Sequence, residues 1–126
     1  ETIDALFPMS DNTLKISFDG IVRAADENAV PLFASFLRSV EFGACAALGF
    51  DFYDMGIKTG ELAVRVKNGE RPGGIPIQSM GEVKLFVNPE AAARQGFVLP
   101  KSILDRAARS VSLRPGAKSA PGPVLD

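Results

Sequence analysis

Histidine is missing altogether, and cysteine appears once. Without histidine the chain cannot build the usual zinc sites, nor a Ser-His-Asp or Cys-His catalytic arrangement. This argues against an enzyme, although carboxylates alone can carry acid/base chemistry. One cysteine cannot close an internal disulfide, and Cys45, in the small apolar run Gly43-Ala44-Cys45-Ala46-Ala47, reads as a buried thiol. No apolar run approaches the ~20 residues that span a bilayer. No charge of one sign dominates either: 14 Lys and Arg stand interspersed with 15 Asp and Glu, a net charge of −1. Neither a nucleic-acid surface nor a polybasic membrane segment is indicated. The loop Glu70-Arg71-Pro72-Gly73-Gly74-Ile75-Pro76 has no GxxxxGK[ST] or GxGxxG spacing, so it reads as a plain loop and not a phosphate cradle.

What is present is globular. The 126 residues suit one ordinary domain, and at 46% hydrophobic they can bury a sizeable core. The chain opens at Glu1 with no secretory leader and runs directly into an apolar stretch, which reads as a start inside a longer gene product.

The stretch that organises the rest is Gly49-Phe50-Asp51-Phe52-Tyr53-Asp54-Met55-Gly56. Ala46 to Phe52 is apolar and aromatic, as a buried strand should be. Met55, Leu62, Ala63 and Val66 then recur on one helical face, with Asp54 as the expected N-cap and Gly69 as the expected terminator. A strand end that runs into a helix N-terminus is where an open α/β sheet presents amides and side chains to a ligand. The alternative is an ordinary strand–helix junction with no ligand.

Taken in order, Ile3 to Phe7 reads as a short strand ended by Pro8, and Thr13 to Asn28 as a helix weakened at Gly20. Val30 to Phe36 reads as a second strand. Strand, helix, strand makes a βαβ unit with parallel, adjacent strands. Ser39 to Ala47 suggests a short helix of small residues, and Glu82 to Asn88 a further strand. Asn88 and Pro89 open a helix over Glu90 to Gln95 that Gly96 terminates, and Ser102 to Ser110 suggests a last helix. Residues 112–126 read as a disordered tail. The fold class is therefore α/β, with a mainly parallel sheet and flanking helices.

An ordered set of segments resembles one family: Asp4-Ala5-Leu6-Phe7 with Ser10-Asp11-Asn12-Thr13, Val30-Pro31-Leu32-Phe33-Ala34-Ser35, Gly49 to Gly56 with Gly60 and Ala63-Val64, Asn68-Gly69-Glu70-Arg71-Pro72 with Ile75-Pro76, Val87-Asn88 with Ala91-Ala92, Gly96, and Leu99-Pro100. These resemble the carboxy-terminal part of the substrate-binding proteins of ABC importers, in the group that includes tryptophan/tyrosine binders. The resemblance implies a two-lobed fold of the type I periplasmic-binding class that closes on its ligand by a hinge motion. It assigns 1–45 to the carboxy-terminal lobe, 46–80 to a hinge crossing and an amino-terminal-lobe segment, and 81–111 to the return. Gly49 and the loop Pro72 to Pro76 are the expected hinges.

The resemblance also implies a site. Ser10, Asp11, Asn12 and Thr13 match the family's turn at a strand's carboxyl end. Asp11 would pair with a ligand ammonium, and the amides of Asn12 and Thr13 would take a carboxylate; the alternative is that Asp11 simply caps a helix. Ser35 would face the same cleft. Phe36 and Leu37 depart from the family, which has acidic or polar residues there, and imply a more apolar pocket. Asp51 belongs to the junction, and Phe50, Phe52 and Tyr53 would stack on a planar ligand, with core packing the alternative for at least one of Phe50 and Phe52.

The function implied is that of an extracytoplasmic, membrane-anchored or periplasmic solute-binding component, delivering a small solute such as an aromatic amino acid to an ABC permease and its ATPase. No catalytic residue, metal or cofactor is expected. Two alternatives remain: the ligand-sensing domain of a regulator with the same fold, and an enzyme using Asp51 and Asp54 as a carboxylate pair. A fragment whose sheet neighbours lie upstream is expected to self-associate.

Overall fold

In the computed structural model, residues 3–79 and 81–112 are described. The elements are helices α1 (Asn12–Ile16) and α2 (Phe18–Asn28), strand β1 (Phe33–Ala34), α3 (Ser39–Phe42), β2 (Ala46–Gly49), α4 (Phe52–Lys67), β3 (Lys84–Val87), α5 (Pro89–Arg94), α6 (Lys101–Leu104) and β4 (Arg109–Ser110). The strands form one sheet in the order β1-β2-β3-β4. β1 and β2 pair parallel, β2 and β3 antiparallel, and β3 and β4 parallel. Leu6 adds a parallel bridge to Leu32, with the Leu6 amide donating to Pro31 and the Phe33 amide donating to Leu6, each at 2.9 Å. The parallel, adjacent first two strands of the sequence reading are thus present in shortened form.

The described residues divide into two compact units, those within 1–49 and 84–126 and those within 50–83. In the first, the sheet is covered on both faces. Leu32, Ala34 and Ala47 join Phe18, Val22, Ala25, Val40 and Ala44 in one cluster, while Cys45, Ala46 and Val87 join Ala92 and Leu99 in another. Neighbours such as Ala46 and Ala47 enter different clusters because successive strand side chains point to opposite faces. Phe18 meets Phe36 edge-on at 5.0 Å, and Phe33 meets Phe97 at 5.7 Å. Helices on both faces of a mostly parallel sheet confirm the α/β class.

Among the described residues three polar side chains, Ser39, Asn88 and Gln95, lie fully inside this unit, and the last two are held by side-chain hydrogen bonds. Asn88 caps α5, its Oδ1 accepting from the Ala91 amide at 2.9 Å, while its Nδ2 donates to the Val40 carbonyl at 2.7 Å. Gln95 follows α5 and uses both ends of its amide: Oε1 accepts from the Leu32 amide at 2.8 Å and the Cys45 thiol at 2.9 Å, and Nε2 donates to Gly43 and Asp26. Cys45 is buried as the small apolar run suggested.

In the second unit α4 buries none of its residues. Met55 and Leu62 are half-buried, whereas Phe52, Tyr53, Ile57 and Val64 are exposed. Arg65 and Glu70 close the helix end with two bonds of 2.6 Å. That pairing holds the Glu70 carboxyl below its ordinary range.

Several element boundaries depart from the sequence reading. The strand from Ala46 ends at Gly49, not Phe52, and α4 starts at Phe52, so its N-cap is Asp51 and Asp54 lies within the first turn. Gly69 follows the helix at φ 98° as expected. The helix over Thr13 to Asn28 is broken at Ser17. The helix from Ser39 stops at Phe42, because Ala46 and Ala47 pair with β1. The last helix is confined to Lys101–Leu104, since Arg109 and Ser110 pair in register with Phe86 and Val87. Most of the 112–126 tail lies outside the described residues.

Candidate functional site

The candidate site of the first unit is located by strand direction. Leu6, β1 and β2 run parallel, so the segments that leave their carboxyl ends emerge at one edge of the sheet. Ser10 to Thr13 and Ser35 lie in the segments that follow Leu6 and β1, and Gly49 is the last residue of β2. The carboxyl edge is where open α/β sheets place their ligands.

After Pro8 the chain turns into α1, and Asp11 caps it. Its Oδ1 accepts from the amides of Thr13 at 2.7 Å and Leu14 at 3.3 Å. The bonds from Leu14 and Thr13 hold the Asp11 carboxyl below its ordinary range, so it is a carboxylate at neutral pH. It is exposed, as are Ser10, Asn12 and Thr13. One carboxylate oxygen therefore serves the cap while the group as a whole stays accessible to a cation. The Thr13 amide, expected for a ligand carboxylate, is engaged by Asp11 here.

Ser35 leaves β1 half-buried. Its carbonyl oxygen sits only 2.1 Å from the point where a Cβ on Gly49 would stand. Strand ends that meet this closely were not foreseen from the sequence, because nothing local in either segment encodes the contact.

In the second unit the candidate residues gather at the start of α4. Asp51 caps the helix, accepting from the Tyr53 amide at 3.0 Å. Phe50, Phe52 and Tyr53 are 42%, 69% and 75% exposed, so neither Phe50 nor Phe52 is a core residue. The reason is geometric. Phe52 belongs to a helix turn, not to a strand with a buried face. Three aromatic side chains beside the amides of a sixteen-residue helix give a surface with both stacking area and anion-attracting amides. The same unit has a small surface pocket of about 150 Å³ lined by Lys58, Glu61, Leu62, Arg65, Gln78 and Ser79. That is below the usual size of a small-molecule site. Among the described residues no group of His, Cys, Asp and Glu could hold a metal ion, and no helix is long and apolar enough to cross a membrane.

The sequence model of the family described as ABC transporter substrate binding protein matches residues 1–111. The chain belongs to that family. A tyrosine-binding protein of Clostridioides difficile is 36% identical over 88 residues, 70% of this chain and 26% of its own length. A conserved domain protein of Vibrio cholerae superposes with a TM-score of 0.77 at 31% identity, covering 86% of this chain and 36% of that one. The ABC domain of Streptococcus pneumoniae in complex with L-Trp gives 0.74 at 28% identity, covering 86% and 38%. The chain thus spans about a quarter of that curated relative and little more than a third of either solved chain.

Proposed function

We propose that this chain is the carboxy-terminal portion of the extracytoplasmic solute-binding component of an ABC importer, and that the complete protein closes two lobes around an aromatic amino acid. The observation that carries the reading is family membership joined to relatives named for tyrosine binding and solved with L-Trp. The chemistry of the residues agrees. Asp11 is an exposed carboxylate suited to an α-ammonium, Ser35 offers a hydroxyl, and Phe50 and Tyr53 offer ring faces beside the capped start of α4. Ser10, Asn12, Thr13 and Asp51 complete the proposed set of ligand-binding residues.

In this reading residues 1–49 and 84–111 belong to one lobe, and the segment between crosses to the other. We put the crossings at Gly49–Phe50 and Val83–Lys84, where the compact units divide, in place of the Pro72 to Pro76 loop. The exposed apolar side chains of α4 support a helix that is completed by sequence beyond these residues. The partners are the solute, a permease and its ATPase, and the protein has no catalytic step. Asp51 and Asp54 both lie at the α4 N-terminus, where a carboxylate is accounted for by the helix dipole.

The test is calorimetric titration of the full-length gene product against the twenty amino acids, with Asp11→Ala as the variant. Binding of tryptophan, tyrosine or phenylalanine that weakens strongly in the variant is expected. Binding of none of the twenty would overturn the amino-acid assignment.

A further inference from the structure

Gly49 ends β2, and it is buried. An ideal Cβ built on it would lie 2.1 Å from the Ser35 carbonyl oxygen and 3.2 Å from the carbonyl carbon. To reach even 3.0 Å, the closest approach real Cβ atoms make, that oxygen would have to retreat by about 0.9 Å. The obstacle is backbone, so no rotamer change relieves it.

Which of the two strands would yield is decided by how each is held. β2 is the inner strand, with β1 on one side and β3 on the other, and Gly49 is itself paired with Lys84. Ser35 has already left the β1 ladder, which ends at Ala34, and sits in the irregular turn that leads to α3. Any side chain at position 49 therefore moves Ser35 rather than β2. A contact residue must be held within about 0.5 Å of its productive place to do its work.

We infer that Gly49 is a positioning residue for solute binding, acting through the backbone of Ser35: the absent side chain at 49 is the seat of the Ser35 carbonyl. The inference rests on the solute-binding reading in which Ser35 faces the ligand. It goes beyond that reading by giving Gly49 a role that is not flexibility. A pure hinge glycine would change closure without regard to the side chain at 35, whereas a seat changes only what residue 35 contributes.

The test is a double-mutant cycle in the full-length gene product, titrated with L-tryptophan and L-tyrosine. Gly49→Ala is expected to weaken binding about tenfold. Ser35→Ala keeps the carbonyl but removes the hydroxyl, and in that background Gly49→Ala should weaken binding less than about twofold, since residues coupled in this way are not additive. Equal losses in both backgrounds, or no loss in either, would overturn the inference. A readout without ligand runs beside it: in Gly49→Ala the backbone amide resonance of Phe36, which shares a peptide plane with the Ser35 carbonyl, shifts while those of Ala47 and Leu85 stay in place. Shifts concentrated on the β2–β3 rungs, with Phe36 unmoved, would also overturn it. If the unmodified protein binds neither amino acid but Phe36 moves, the aromatic-solute assignment fails and the seat stands.

Discussion

Gln95 Oε1 accepts the amide hydrogen of Leu32 at 2.8 Å, joining residues 63 apart in the chain deep inside the first unit. The same oxygen takes the Cys45 thiol, and the amide nitrogen reaches Gly43 and Asp26. Replacing Gln95 with Leu fills the volume but strands the Leu32 amide and the Gly43 carbonyl. Each buried group left without a partner costs ~1–3 kcal/mol, so Gln95→Leu should lose roughly 3 kcal/mol or more of stability in urea denaturation. Asn, one methylene shorter, should not rescue it.

Asp11 gives a prediction in which two roles separate. Asn caps helices about as well as Asp and Ala does not, so Asp11→Asn should keep the α1 amides protected from exchange while Asp11→Ala loses protection. If Asp11 also pairs with a ligand ammonium, both variants lose solute affinity. The pH dependence has a definite sign. The folded-state pKa lies below the ordinary value of 3.8, so the stabilising contribution is present above that value and lost as pH falls through the lowered one. Amide exchange in Thr13 and Leu14, corrected for intrinsic rates, should rise only at the acid end of a titration.

Burial pushes the Cys45 thiol pKa up, and its Sγ already donates to Gln95. Little thiolate is then present at neutral pH, and thiol reagents act on the thiolate. Cys45 should stay unlabelled by Ellman's reagent in the native protein and react fully in denaturant. Rapid labelling under native conditions would mean that the segment opens far more often than its packing suggests.

The isolated 126-residue chain should associate with itself. Tyr53, Ile57 and Val64 recur along one side of α4 with 75%, 48% and 55% exposure, and an apolar stripe of this kind is rarely left to water. Sedimentation should report a mass that grows with concentration. Ile57→Lys with Val64→Lys should return the chain to a monomer without loss of helix signal, since α4 buries neither residue.

Local chemistry was legible in the sequence and long-range geometry was not. Asn88, Pro89 and Gly96 delimit α5 as read, because a cap acts within three or four residues. The Asp11 cap is visible for the same reason. Phe50 and Phe52 misled, since aromatic residues favour strands. What decides the conformation here is the Asp51 carboxylate reaching the Tyr53 amide, which starts the helix three residues sooner than an Asp54 cap would. The end of the last helix was lost to distance: Arg109 and Ser110 pair with Phe86 and Val87, over twenty residues upstream. Of the candidate site, the residue types and their strand-end positions were readable. The contact of Ser35 with Gly49 was not, because it depends on the register of two strands.

The central strand also says where the family's sequences can drift. Ala46 faces one helical layer and Ala47 the other, both nearly sealed from solvent, and Ala34 and Ala44 line the second of these layers. Enlarging either β2 alanine pushes a helix away from the sheet, and overpacking of this kind typically costs ~1–3 kcal/mol. Surface helices can accumulate substitutions independently, one at a time. This strand can change only in concert with the helix that lies over it, so across relatives its alanines should vary together with Val40 on one side and Ala92 on the other, or hardly at all.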